Sequence, residues 1–239
     1  MSTTTSPMSR AMRELWGVRE EGRRGPKPSM SVRTIAAAAV ALADAEGLEA
    51  VTMAAVAKRL GFTTMSLYRY VESRQDLLDV MVDEAAGPPP SLGRRRSWRT
   101  KLEEWARADA AFLAAHPWVL HVRSGTPPVG PNLVGWMEVG FAALSDTGLS
   151  PQQIASSLLS IDGYVRSSVE MGLRYAADGA TANWAEQLRS VISEDTMPTV
   201  AGILESGALE DGTDGMAEEL AFGLGLLLDG IEQTIARRG

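Results

Sequence analysis

From residue 32 to residue 236, apolar side chains return at three- and four-residue steps in segment after segment. No stretch alternates residue by residue as a half-buried strand does. A helical period broken only at Gly and Pro leaves an all-α fold. The first clear segment runs from Val32 to Glu46, with Ile35, Ala38, Ala39, Leu42 and Ala45 on one face and Gly47 as a stop. A face made mostly of methyl groups packs closely. The second segment is shorter: Thr52 is a good N-cap before Met53, Val56 and Leu60 face inward, and Gly61 ends the helix. A third helix begins at Thr63 or Thr64, is one to two turns long, and turns Leu67 and Val71 inward. Ser73 caps a fourth, with Leu77, Val80, Met81 and Glu84 helically spaced, and "GPPP" closes it.

Two short helices joined across a glycine form the helix-turn-helix pattern, whose second helix lies in the DNA major groove. The same pattern also fits a plain helical hairpin with a solvated polar face. Later segments keep the helical period. Leu102, Trp105, Ala106, Asp109 and Leu113 share a face until Pro117 forces a break. "LVGWMEVGFAALSDTG" ends at Gly148. Ser150 and Pro151 open a long helix carrying Ile154, Leu158, Ile161, Val165 and Val169. "TANWAEQLRSVI" is a further helix, and the last helix places Met216, Leu220, Leu224, Leu227 and Ile231 on a seam.

The sequence therefore divides into three regions. Residues 1–28 are polar, charged and broken by Gly and Pro, and read as a flexible basic arm in which "AMRELWGV" forms a transient helical turn. Residues 29–86 form the helix-turn-helix domain, and residues 97–239 a larger helical domain. The run "AFGLGLLL" is too short to span a bilayer, and the N-terminus lacks the apolar core of a signal peptide. The expectation is a cytoplasmic protein with no membrane partner.

Charge is unevenly placed along the chain. The net charge is −7, yet residues 1–100 hold 15 Lys and Arg against 11 Asp and Glu, while residues 101–239 hold 8 against 19. A basic half can meet phosphate while the acidic half lies elsewhere, because a polyanion feels the local field within about 8–10 Å. There is no cysteine and there are only two histidines, and no G-x-S-x-G, H-E-x-x-H or phosphate-cradling glycine loop occurs. Little remains from which to build an enzyme, and no cofactor or metal is expected.

"VTMAAVAKRLGFTTMSLYRYVESRQDLLDVMVD", residues 51–83, resembles the DNA-binding domain of the tetracycline-repressor (TetR) family of bacterial regulators. The resemblance is strong over residues 31–85. It is weaker beyond, where "HPW", "GPN" and "GLS" resemble the ligand-binding half of that family's tetracycline-repressor-like branch.

The resemblance implies that Thr63, Thr64, Met65 and Ser66 meet base edges at the start of the recognition helix. It implies that Tyr68, Tyr70, Arg74 and Thr52 reach phosphates. Arg69 falls where the family varies and serves either guanine or phosphate; Tyr68 alternatively closes the small domain as a half-buried ring, and Lys58 and Arg59 either meet DNA or form a solvated face. Basic residues Arg23, Arg24 and Lys27 suit an arm that enters the minor groove, or a start that touches nothing.

The resemblance further implies a homodimer on a near-palindromic double-stranded operator, with Gly223, Gly225 and Gly230 letting helices approach at a four-helix interface. It implies a repressor released by a small hydrophobic or amphipathic effector, the alternative being a DNA-binding regulator without one. Trp105, His116, Trp118, His121, Trp136, Met137 and Met171 are the effector candidates, since aromatic and Met walls with a few polar groups suit small-molecule pockets. Plain core is the competing reading for each.

Overall fold

The computed structural model describes residues 8–18, 30–122, 129–175, 180–208 and 216–237. Among the described residues there are eleven α-helices, two 3₁₀ turns and no strand. None of these helices is long and apolar enough to cross a membrane. The chain forms two compact units: residues 1–94 with 115–142, and residues 95–114 with 143–239.

The first unit holds α1 (Arg10–Leu15), α2 (Val32–Glu46), α3 (Met53–Leu60), α4 (Thr64–Leu67), α5 (Arg74–Ala86) and nearly all of α7 (Pro131–Leu144). Hydroxyl caps set most of its helix starts. The side chains of Ser31, Thr52, Thr63 and Ser73 each accept from the backbone N–H three residues on. Such caps satisfy donors that a helix leaves free at its first turn. Its core is the α2 face of Ile35, Ala36, Ala39, Leu42 and Ala43, closed by Val56, Leu67, Val71, Leu77 and Val80; of the face read from the sequence, Ala38 is half-buried and Ala45 is exposed.

This unit departs from the sequence-based division in two ways. Residues 115–142 pack with the N-terminal region, although the division assigned everything from residue 97 to the second domain. Two indole N–H groups of this segment reach back to the N-terminal helices: Trp118 Nε1 donates to Asp44 Oδ1 at 2.7 Å, and Trp136 Nε1 donates to the backbone O of Gly87 at 3.1 Å. The second departure is α1. The segment expected to be a flexible arm with a passing turn contains a capped helix, with Ala11, Met12 and Leu15 buried. Arg23, Arg24 and Lys27 lie outside the described residues.

The second unit holds α6 (Trp98–Ala115, up to residue 114), α8 (Pro151–Tyr175), α9 (Ala180–Arg189), α10 (Pro198–Glu205) and α11 (Met216–Ala236). Helices α8 and α11 are its main pair. The seams read from the sequence meet inside this unit: Leu158, Ile161, Val165 and Val169 of α8 are buried, as are Leu224 and Ile231 of α11. Gly223, expected at an interface between chains, instead faces Tyr164 of the same chain. A Cβ there would fall 2.2 Å from the phenol oxygen, which donates to Glu219 O at 2.8 Å. Helix α10 was not expected from the sequence.

Candidate nucleic-acid interface

Helix α3 ends at Gly61, whose φ of 73° is the left-handed conformation that glycine reaches without strain. Phe62 N then donates back to Ala57 O at 2.9 Å, closing the helix end. Thr63 caps α4, and its hydroxyl lies 2.8 Å from that of Ser66. Helix α4 is only four residues long, too short to stand alone. Leu67 and Val71, both fully buried, hold it down, and Tyr70 N and Val71 N both donate to Leu67 O.

What remains outward is the predicted reading surface. Met65 is 74% exposed, an unusual position for an apolar side chain, and Tyr68 is 45% exposed. Arg69, Thr63 and Arg74 are exposed, while Thr64, Ser66 and Tyr70 are partly so. Thr52 is exposed at the head of α3, where its oxygen accepts from Ala55 N at 3.1 Å and its O–H stays available to donate.

Among the described residues, ion pairs engage Arg33, Arg96, Arg99, Arg107 and Arg174, but none engages Lys58, Arg59, Arg69 or Arg74. Among the described residues, four cations near one glycine turn thus carry no intramolecular carboxylate. That is the electrostatic condition for replacing counterions on a phosphate backbone.

The effector candidates fall in both units. Trp105 is buried and belongs to the second unit, where Met171 is half exposed. Trp118, Trp136, His116, His121 and Met137 belong to the first. Trp118 and His116 share one partner, since His116 Nδ1 lies 2.8 Å from the same Asp44 oxygen, and the two rings meet edge-on at 6.1 Å. Met137 and His121 are exposed.

Three aspartates carry weight that the sequence reading did not assign. Asp44 ties α2 to the 3₁₀ turn Pro117–His121. Asp83, 1% exposed, caps α7: its Oδ1 accepts from Leu133 N at 3.0 Å, and its backbone O accepts from Asn132 Nδ2. Burial raises its carboxyl, and the bonds from Leu133 and Asn132 oppose that rise. Asp109 sits in the apolar face of α6 with Oδ2 unpartnered among the described residues. Burial pushes its carboxyl up to about 7, Asp162 adds to the rise and Arg166 opposes it. An acidic residue at a core position of a helical period was the available signal for both Asp83 and Asp109.

A capped helix, a glycine turn and a short exposed helix with free cations define a helix-turn-helix DNA-binding protein. Residues 35–81 match the family model of bacterial regulatory proteins, tetR family, and residues 90–235 match that of the tetracyclin repressor-like C-terminal domain. The chain belongs to the TetR family of transcriptional repressors. It is 36% identical over 252 residues to the HTH-type transcriptional repressor DrrR1 of Streptomyces coeruleorubidus, covering 99% of this chain and 91% of that one. An HTH-type transcriptional regulator of Saccharopolyspora erythraea is 30% identical, with 83% of this chain and 84% of that one covered. In fold, the chain is similar to the Streptomyces coelicolor TetR family protein ActR in complex with actinorhodin. There the TM-score is 0.73 at 23% identity, over 84% of this chain and 95% of that one. The protein is thus a regulator and not an enzyme.

Proposed function

We propose that this repressor reads a near-palindromic operator through α4 and leaves it when a small hydrophobic or amphipathic molecule binds the tetracycline-repressor-like domain. The observation that carries the DNA reading is the exposed four-residue α4, with Met65 74% exposed and Arg69 and Arg74 outside any ion pair among the described residues. Thr63, Thr64, Met65 and Ser66 contact base edges. Thr52, Tyr68, Tyr70 and Arg74 fix register on phosphate, and Arg69 serves either.

So short a helix reads few base pairs, and two copies supply the rest. The dimer face is the outer side of α8 and α11, where Leu159, Phe222 and Leu226 are 71%, 72% and 60% exposed. Gly225 and Gly230 have open space before them, as close helix approach requires.

The effector reading is supported by the match to the tetracyclin repressor-like domain and by the ligand complex of ActR, a protein of the same fold. Trp105 and Met171 are its candidates in the second unit. Trp118, His116 and Trp136 line a ligand only with their bonds to Asp44 and Gly87 kept. His121 and Met137 supply exposed groups.

The test is a labelled operator, selected from random duplexes with the full-length protein, titrated against a panel of hydrophobic and amphipathic compounds. At least one compound should displace the operator, with weaker effect on Trp105→Ala. A binder with equal affinity for free and operator-bound protein would refute the coupling, since a ligand shifts an equilibrium only by its differential affinity.

A further inference from the structure

Helix α1 lies outside the helix-turn-helix itself, yet it is bonded to several of the parts that set the position of α4. Its cap, Ser9, accepts from Met12 N and at the same time donates to Asp76 Oδ1 at 2.5 Å. Asp76 is 7% exposed in the first turn of α5. Its other oxygen accepts from Glu72 N at 2.9 Å, and its own N–H donates to Ser73 Oγ at 3.1 Å. One buried carboxylate therefore holds the two-residue link, Glu72 and Ser73, between the fully buried Val71 behind α4 and Arg74 at the head of α5.

Two more side chains of the same segment reach other elements. Glu14 Oε1 accepts from Val32 N at 3.2 Å, filling a free donor at the start of α2. Trp16 Nε1 donates to Val129 O at 2.7 Å, just before α7. Ala11, Met12 and Leu15 press into the face behind these bonds and are 0%, 4% and 7% exposed.

We propose that Ser9 and Asp76 are positioning residues for operator recognition. Ser9 restrains the Asp76 carboxylate, Asp76 fixes the link after α4, and that link sets the angle at which α4 and Arg74 meet DNA together. A carboxylate tied at one end to Glu72 N alone has freedom to rotate; a hydroxyl on its second oxygen removes it. Misplacing a reading helix costs specific binding, which needs several base contacts at once, more than non-specific binding, which needs only charge near phosphate. The inference rests on α4 being the reading helix.

The test measures affinity for a selected operator and for a scrambled duplex at one salt concentration, well below the melting temperature of each variant. Ser9→Gly removes the hydroxyl but keeps a residue tolerated at N-caps. It should lower the ratio of operator to scrambled affinity by about three- to tenfold, and Ser9→Thr should restore it. Asp76→Asn should lower the ratio at least as far, with Ser9→Gly adding nothing further. Met12→Ala removes packing without touching the bonds, and should lower the melting temperature while leaving the ratio unchanged.

An unchanged ratio in Ser9→Gly overturns the proposal. An equal fall in Met12→Ala also overturns it, by reducing α1 to a source of stability. Thr64→Ala and Met65→Ala separate the two levels: if neither alters operator preference, α4 is not the reading helix, and the failure lies with that premise.

Discussion

Arg74 stands exposed at the start of α5, free of carboxylates among the described residues, so its charge is available in full. Arg74→Ala is expected to weaken binding to all duplexes alike and to reduce the slope of log affinity against log salt by about one. A slope equal to that of the wild type would remove Arg74 from the interface. Asp109 gives a prediction of a different kind, because its carboxyl moves from an ordinary 3.8 up to about 7 in the fold. The folded state therefore holds a proton that the unfolded state has lost between those values. Stability from this group is undiminished below about pH 4 and falls as pH rises to about 7, by at most roughly 4 kcal/mol. Asp109→Asn mimics the protonated form. Urea unfolding should find the variant more stable than wild type at pH 8, with the difference vanishing toward pH 4.

At the scale of elements, the short helices depend on their ends. Gly61 has φ 73° and open space where a Cβ would sit, so the cost of Gly61→Ala is backbone strain alone, about 1 kcal/mol. Chemical denaturation should find a loss of that size without any change in the buried core. Gly130 is the opposite case. A Cβ there would lie 2.1 Å from Asp83 Oδ1, the oxygen that caps α7. Gly130→Ala must push the carboxylate off Leu133 N and leave a buried group unpaired, at about 1–3 kcal/mol. A melting temperature equal to that of wild type would show that α7 does not need this cap.

At the scale of the whole molecule, the acidic balance and the basic reading region belong to different stretches of chain. The net charge is −7, yet the cations near Gly61 have no internal partner among the described residues. The exposed apolar residues of α8 and α11 carry the assembly prediction. Leu159→Glu combined with Phe222→Glu should yield a folded monomer with unchanged helical circular dichroism. Its operator affinity should drop by more than tenfold, because each half-site then binds alone. Sedimentation at micromolar concentration decides this: a dimer persisting in the double variant places the interface elsewhere.

The sequence by itself determined the helical class and the helix-turn-helix, because the signals there are local. Thr52, Gly61 and Ser73 act on backbone groups within three or four residues, and the folded chain puts each at the cap it was read for; Thr63, read as a possible first residue of its helix, is the cap of α4. Helix α10 escaped because it is short: the eight residues PTVAGILE make about two turns, too few to display a period. Tertiary structure alone decided what long-range partners determine. The ties of His116 and Trp118 to Asp44 span 72 and 74 residues, and no spacing rule reaches that far. The periodic seams of α8 and α11 showed that an apolar face existed, but whether it met its own chain or a second one depended on packing. Gly223 against Tyr164 shows that part of it meets its own chain. Helix α1 is the clearest case. Six residues cannot hold a helix in water, since nucleation costs more than one turn returns. Only the buried faces of α2 and α5, with Asp76 waiting for a hydroxyl, make that segment a helix.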